Sequence, residues 1–351
     1  MGIRQYHGAG ARGARRAVGL TACVLALLAV APTAPRAQVE RDPAKIVGPE
    51  ECAECHENAT EIWRHTTHHK TFREMPRDRD ALKMARTMGL RRIKEGSICL
   101  DCHFTTQKVD DKVEAIAGIS CESCHGAGKG WTELHSNFSG HENEENETAE
   151  EERVRWQKSE EAGMIRPNMT YRLAKNCYSC HLVPQEELVN KGGHTAGSDF
   201  ELVAWSQGEI RHNVWYNDGE ANPPASQDRR RKLFAVGLAV ELETALRGVG
   251  KATQKADYAI SMAKRADRAR KRMTQAAKLV SGVPELAEIA KVANNAGLSL
   301  NNQQELRRAA DRIAALTKQM VDGYGGDAFA ALDPALPGPD SWKGTPKPDM
   351  N

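Results

Sequence analysis

Four copies of the pentapeptide Cys-x-x-Cys-His constrain this chain more strongly than any other feature of its sequence. The copies begin at Cys52, Cys99, Cys121 and Cys177, and they use every cysteine outside the first 37 residues. A chain of 351 residues with 9 Cys and 12 His should contain about 0.01 such matches by chance. The repeat therefore has a chemical cause.

The spacing within the pentapeptide suits covalent attachment of haem. Two thiols three residues apart can form thioethers with the two vinyl groups of one porphyrin, and the next histidine then lies under the iron. A redox Cys-x-x-Cys needs no histidine after it, and zinc sites do not require one after every pair. The sequence therefore predicts four covalently bound haem c groups, each with one iron. The predicted attachment residues are Cys52, Cys55, Cys99, Cys102, Cys121, Cys124, Cys177 and Cys180, and the predicted proximal ligands are His56, His103, His125 and His181.

Residues 1–37 are typical of a secretory signal peptide. A basic stretch without acidic residues precedes an apolar run at 17–31, and cleavage is predicted after Ala37. The run is shorter than the roughly 20 residues of a spanning helix, so we expect no stable membrane span. A retained anchor, or a lipid on Cys23, is the alternative. Because haem is attached outside the cytoplasm, the predicted location is the periplasm.

The charge excludes nucleic acid as a partner. The formal net charge is +2, but the predicted leader carries five Arg and no acidic residue. The mature chain is then at about −3, and four ferric haems with their propionates bring it to about −7. We expect redox proteins as partners. An acidic segment, 142–161, is predicted to be a solvated loop or exposed helix.

The predicted fold class is mainly α, in two parts. A tetrahaem cytochrome domain at 38–225 has short helices and loops around the haems, and an α-helical domain follows at 226–333. The second part lacks Cys and His, and its apolar residues recur at helical spacing. Helices are predicted from about Arg229 and at 255–280, 284–294 and 302–322, forming a bundle that is a candidate for self-association. The Pro/Gly-rich tail at 334–351 is predicted to be disordered.

Outside the predicted leader, seven further histidines compete for the distal positions of four irons. A six-coordinate haem takes a second axial ligand, usually His or Met. None of the seven lies after His212, so the helical part supplies no imidazole. The candidates are His65, His68, His69, His135, His141, His194 and His212.

The order of the motifs resembles the cytochrome c-554 family of tetrahaem periplasmic proteins, whose best-known member accepts electrons from hydroxylamine oxidoreductase. The resemblance includes Cys121-Glu122-Ser123-Cys124-His125-Gly126-Ala127-Gly128, Trp63 five residues before His68, and His135 ten residues after His125. It covers about residues 48–215. The resemblance implies that His68 ligates the iron of His181 and that His135 ligates the iron of His56. His65 and His69 are close enough to His68 to replace it.

The resemblance leaves two assignments open. The third haem, that of His125, takes its ligand from beyond the fourth motif, which means His194 or His212; we expect His194. The second haem, that of His103, is five-coordinate in the best-known family member, so an open iron face is implied here. His212 is then spare and could close that face.

Electron transfer is the function that these features favour. Packed haems need no catalytic acid or base to pass electrons, so we expect a carrier rather than a catalyst, in nitrogen-compound oxidation or in respiration. The alternative is an enzyme that reduces or oxidises nitric oxide, nitrite or hydroxylamine at an open haem. A redox sensor whose helical part reports the haem state is the third hypothesis.

Overall fold

The computed structural model describes residues 41–346, and the predicted signal peptide lies outside this range. Short helices separated by loops make up the first half. Its α-helices are α1 Pro49–Ala53, α2 Glu57–His65, α3 Thr67–Glu74, α4 Arg79–Thr87, α5 Leu100–His103, α6 Cys121–His125, α7 Thr132–Ser136, α8 Ala149–Glu161, α9 Thr170–His181, α10 Glu186–Asn190 and α11 Leu202–Ser206. One antiparallel hairpin, β1 Thr105–Val109 and β2 Lys112–Ala117, joins the second motif to the third.

Four long helices follow, close to the predicted bounds. They are α12 Gln227–Lys251, α13 Asp257–Leu279, α14 Pro284–Asn295 and α15 Gln303–Gly323. Helix α12 is buried along most of its length and packs against α13, α15 and α9. Its apolar residues lie on two faces, as predicted, because it is surrounded by other helices. Among residues 41–346, no helix combines the length and apolar character needed to cross a membrane.

Two glycines in three residues, Gly248-Val249-Gly250, favour a helix break, but they do not end α12. The helix continues through both glycines to Lys251. A Cβ at Gly248 would lie 2.8 Å from the Met262 sulfur, and one at Gly250 would lie 3.3 Å from Leu306 Cβ. These glycines therefore allow α13 and α15 to approach α12 closely.

The main apolar core extends across the boundary predicted near residue 225. Tyr171, Ala174 and Tyr178 on α9 belong to the same buried cluster as Val236 and Leu242 on α12. The haem-motif region otherwise has a small apolar cluster of its own, around Ile93 and Phe104. An independent domain at 226–333 therefore stays a prediction, and its first helix shares a core with the fourth motif.

The tail is not disordered over its described part, and that prediction is wrong for residues 334–346. The Lys343 backbone N–H donates to the carbonyl of Ala204, and its own carbonyl accepts from the Glu209 N–H, both at 2.9 Å. Trp342 lies against the Arg211 guanidinium. Composition favours disorder, but one aromatic side chain and two backbone hydrogen bonds hold this segment on the haem region.

Candidate haem-binding centre

Each Cys-x-x-Cys-His motif lies on a helical turn. The second and third motifs occupy α5 and α6, the fourth ends α9, and the first follows from α1. Hydrogen bonds from the His56 N–H to the Cys52 carbonyl (2.9 Å) and from the His103 N–H to the Cys99 carbonyl (3.1 Å) close the turn. Residues three and four apart share one helix face, so both thiols and the histidine of a motif point to the same side.

Every motif histidine faces a second histidine ring at nearly the same distance. The ring centroids are 6.3 Å apart for His56 and His135, 6.2 Å for His68 and His181, 6.3 Å for His103 and His194, and 6.2 Å for His125 and His212. A metal–imidazole bond of about 2 Å, plus about 1.1 Å from nitrogen to ring centroid, gives about 6.2 Å when counted on both sides of one metal atom. The spacing therefore fits an iron with two axial imidazoles.

The same residues do not fit a bare metal ion. Structural zinc takes four protein ligands and catalytic zinc three. Within residues 41–346, no group of three or more His, Cys, Asp or Glu side chains is placed to hold a metal ion. Two protein ligands are enough only where another group fills the remaining positions, as a porphyrin does. The donor set thus suits haem.

Two of the ring pairs are those that the family resemblance implies, a third uses one of the two residues that it left open, and the fourth differs from it. His68 faces His181 and His135 faces His56. The structure places His194 opposite His103 rather than opposite His125, and the alternative, His212, lies opposite His125. The open face expected above His103 is therefore occupied by an imidazole. Both histidines lie in loops after α9, where sequence spacing cannot decide between them.

The remaining candidates lie away from the motif histidines. His65 is exposed and its Nδ1 is 2.8 Å from the Glu61 carbonyl, which accepts a hydrogen bond from it. His69 packs edge-on against Trp63, and His141 is paired with Glu151 at 3.3 Å. Of the three neighbours 65, 68 and 69, only His68 faces a motif histidine.

Backbone contacts hold His68 in place. Its carbonyl accepts from the Ile119 N–H at 3.1 Å and from the Thr71 hydroxyl at 2.8 Å. A Cβ at Gly118 would lie 2.1 Å from the same carbonyl oxygen, so only glycine permits this approach. Trp63 Nε1 donates to the Ile119 carbonyl at 2.7 Å. These contacts connect Trp63 and His68 to the segment that leads into the third motif.

Hydrogen bonds at Nδ1 leave Nε2 of several rings available for iron. The Nδ1–H groups of His125, His194 and His212 donate to the carbonyls of Ile165 (2.9 Å), Thr195 (2.7 Å) and Ile210 (2.8 Å). Such bonds fix the tautomer and the ring orientation of a ligating histidine. Burial lowers the pKa of His103, His125 and His181 to about 4, so these rings are neutral at neutral pH, the form that binds metal.

The motifs adjoin one another in a definite order. The Cys52 sulfur lies beside that of Cys121, and the Cys102 sulfur beside that of Cys180. Between the third and fourth motifs, Asn176 Nδ2 donates to the Ser123 carbonyl at 2.6 Å. The first motif therefore lies beside the third, the third beside the fourth, and the fourth beside the second.

Besides its packing on α9, the helical region reaches the fourth motif through the loop that contains Ser198 and Phe200. Phe200 stacks on the His181 ring at 4.2 Å, and Ser198 Oγ is hydrogen-bonded to His181 Nδ1 at 2.8 Å. Arg265 on α13 donates to the Ser198 carbonyl at 2.7 Å and is paired with Glu241 on α12 at 2.8 Å. Helices without any imidazole thus orient a motif histidine.

Glu122, within the third motif, is a structural residue that the sequence did not reveal. It is fully buried, and its carboxylate accepts from the backbone N–H groups of Val47 (2.9 Å), Gly48 (2.8 Å) and Gly128 (2.6 Å). It thereby joins the segment before the first motif to the turn after the third. A glutamate between the two cysteines of such a motif is expected to be exposed to solvent, so the burial of Glu122 was not predictable from the sequence.

Replacing Glu122 with alanine should destabilise the protein by about 3 kcal/mol, because each buried N–H left unpaired costs about 1–3 kcal/mol. The measurement is denaturant unfolding followed by far-UV circular dichroism. Glu54→Ala is the matched control, since Glu54 lies within the first motif and is exposed. Equal stability of the two variants would contradict the anchoring role.

The motifs and the facing rings together define a c-type cytochrome, the class of protein that carries covalently bound haem c. A family model described as "Cytochrome c554 and c-prime" matches residues 51–126. The resemblance to the cytochrome c-554 family, predicted from the motifs, is confirmed.

Cytochrome c-554 of Nitrosomonas europaea is 23% identical to this chain over 147 residues. The alignment covers 40% of this chain and 58% of that protein. The chain thus spans a little over half the length of this relative. No solved structure matches the chain.

Proposed function

We propose that this chain is a periplasmic tetrahaem cytochrome that carries electrons between redox proteins, with two histidines at every iron. The four ring pairs, all 6.2–6.3 Å apart, are the observation that carries the proposal. The proposed axial pairs are His56 with His135, His103 with His194, His125 with His212 and His181 with His68.

Each haem, when bound, supplies an iron that takes up and releases one electron. The protein residues attach the porphyrins, hold the axial rings and keep neighbouring motifs adjacent. The contacts between motifs support a path in the order first, third, fourth, second. The His181 ring is oriented from α13 through Ser198, so the helical part acts as a scaffold for the fourth motif, which lies within the path.

The alternative function, an enzyme with an open haem at His103, is disfavoured because a second imidazole faces His103. The imidazole of His194 lies where a small nitrogen compound would have to bind. A six-coordinate iron with two histidines is suited to electron transfer because neither axial ligand has to leave. Nitrogen-compound oxidation, as the metabolic setting, rests on family likeness alone.

The test of the proposal is the number of haems per chain. The intact mass of the exported protein should exceed that of residues 38–351 by four haem groups, and iron should be present at four atoms per chain. A Cys99→Ala/Cys102→Ala double variant should retain three haems. A colourless native protein, or one with fewer than four haems in the unmutated chain, would overturn the proposal.

A further inference from the structure

Arg41 lies where the second and fourth motifs meet. Its Nη1 donates to the Asp101 carbonyl at 2.5 Å, and its Nη2 donates to Asn176 Oδ1 at 2.8 Å. Both amino groups are 3.6 Å from the Cys180 sulfur. Asp101 is a variable residue of the second motif, and Cys180 is the second thiol of the fourth. One guanidinium therefore touches two attachment turns at once.

The charge of Arg41 is not cancelled by its direct contacts. Within residues 41–346 its hydrogen-bond partners are a carbonyl, an amide oxygen, the Ser179 hydroxyl and a sulfur, all of them neutral groups. Its Nε is buried and makes no hydrogen bond to the described residues. A guanidinium does not lose its proton in proteins, so this position keeps a full positive charge at every working pH.

A fixed cation beside a redox centre favours the form that holds one more electron. The electrostatic energy falls as the inverse of distance and grows as water is excluded. The Cys180 sulfur, 3.6 Å from the guanidinium, is the atom that would join the porphyrin edge to the chain. Cys102, the corresponding thiol of the second motif, lies beside Cys180 and is therefore also close to this charge.

We propose that the positive charge of Arg41 raises the reduction potentials of the haems on the second and fourth motifs. The proposal rests on the proposed tetrahaem function. The redox step is the gain of one electron, supplied by a partner protein or an electrode, with no bond formed or broken. With the motif order given above, Arg41 would favour the reduced state at the end of the path formed by the fourth and second motifs.

The experiment is a spectroelectrochemical titration of the four-haem protein. Arg41→Gln should make reduction of two haems about tenfold less favourable, which lowers their midpoint potentials by about 59 mV. Arg41→Lys, which keeps the charge, should retain most of the wild-type potentials. Arg79→Gln removes the same charge from an exposed position on α4 and should leave all four unchanged.

Two results would overturn this inference. Potentials of Arg41→Gln equal to those of the wild type would show that the charge has no influence, and equal shifts in Arg41→Gln and Arg41→Lys would assign a purely structural role. Where Arg41→Gln does not retain four haems, Arg41→Met replaces it, because its apolar side chain fills similar space. The haem count of the unmutated protein tests the proposed function separately, so a failure of one is distinguishable from a failure of the other.

Discussion

Replacing His194 with alanine is expected to convert one of four low-spin haems into a high-spin, five-coordinate one. The wild-type ferric protein should be entirely low-spin, because every motif histidine has a facing imidazole at 6.2–6.3 Å. Removing His194 leaves the iron above His103 with one protein ligand. Electron paramagnetic resonance of the ferric protein measures the change directly. Cyanide should then bind to one haem in four without displacing a histidine.

Two further variants make this result specific. His212→Ala should also give one high-spin haem, this time the haem of His125, whereas His65→Ala should give none because His65 is exposed and faces no motif histidine. A high-spin haem already present in the wild type, with no further one created by His194→Ala, would show that His194 does not bind. It would also restore the enzymatic alternative at that iron.

Loss of the Glu243 carboxylate is expected to cost about 3–5 kcal/mol of unfolding free energy, the usual consequence of leaving a buried charge without its partner. Glu243 on α12 is 1% exposed and accepts from Lys175 Nζ at 2.9 Å, where the Lys175 side chain is 10% exposed. It also accepts from the Tyr171 hydroxyl at 3.0 Å. Glu243→Ala therefore removes the polar connection between α12 and the helix that carries the fourth motif.

The measurement is the denaturant midpoint, followed both by far-UV circular dichroism and by haem absorption. Glu288→Ala is the matched control: Glu288 is half-exposed on α14, pairs with Lys291 in the next turn, and should cost less than about 0.5 kcal/mol. A loss as small as that of Glu288→Ala would contradict the structural role of Glu243. Glu243→Gln should lie between, since it keeps hydrogen bonding but not the charge.

Residue spacing predicted the elements of this fold that are determined by nearby residues in the sequence. The motif turns and the four long helices follow from residue spacing, and the structure places their ends within a few residues of the expected positions. The His68 and His135 pairings came from family likeness rather than from spacing. His194 and His212 were exchanged because both lie in loops, where the chain path depends on long-range packing. The contacts of Arg41 and Glu122 were not predicted, because charged residues usually lie at the surface and the sequence does not show which neighbours surround them.

Helix α9 has two roles that cannot be separated during maturation. Its last turn presents Cys177, Cys180 and His181, while Tyr171 and Tyr178 fill the core beneath α12. Because haem is attached to an unfolded chain, we expect attachment at the fourth motif to precede this packing, and we expect a chain that lacks this haem to pack α9 beneath α12 less tightly. We therefore expect chains that miss the last haem to keep an exposed apolar face and to be removed by proteases. Because α9 is shared between the core and the fourth motif, the exported protein would then consist of chains that carry the last haem.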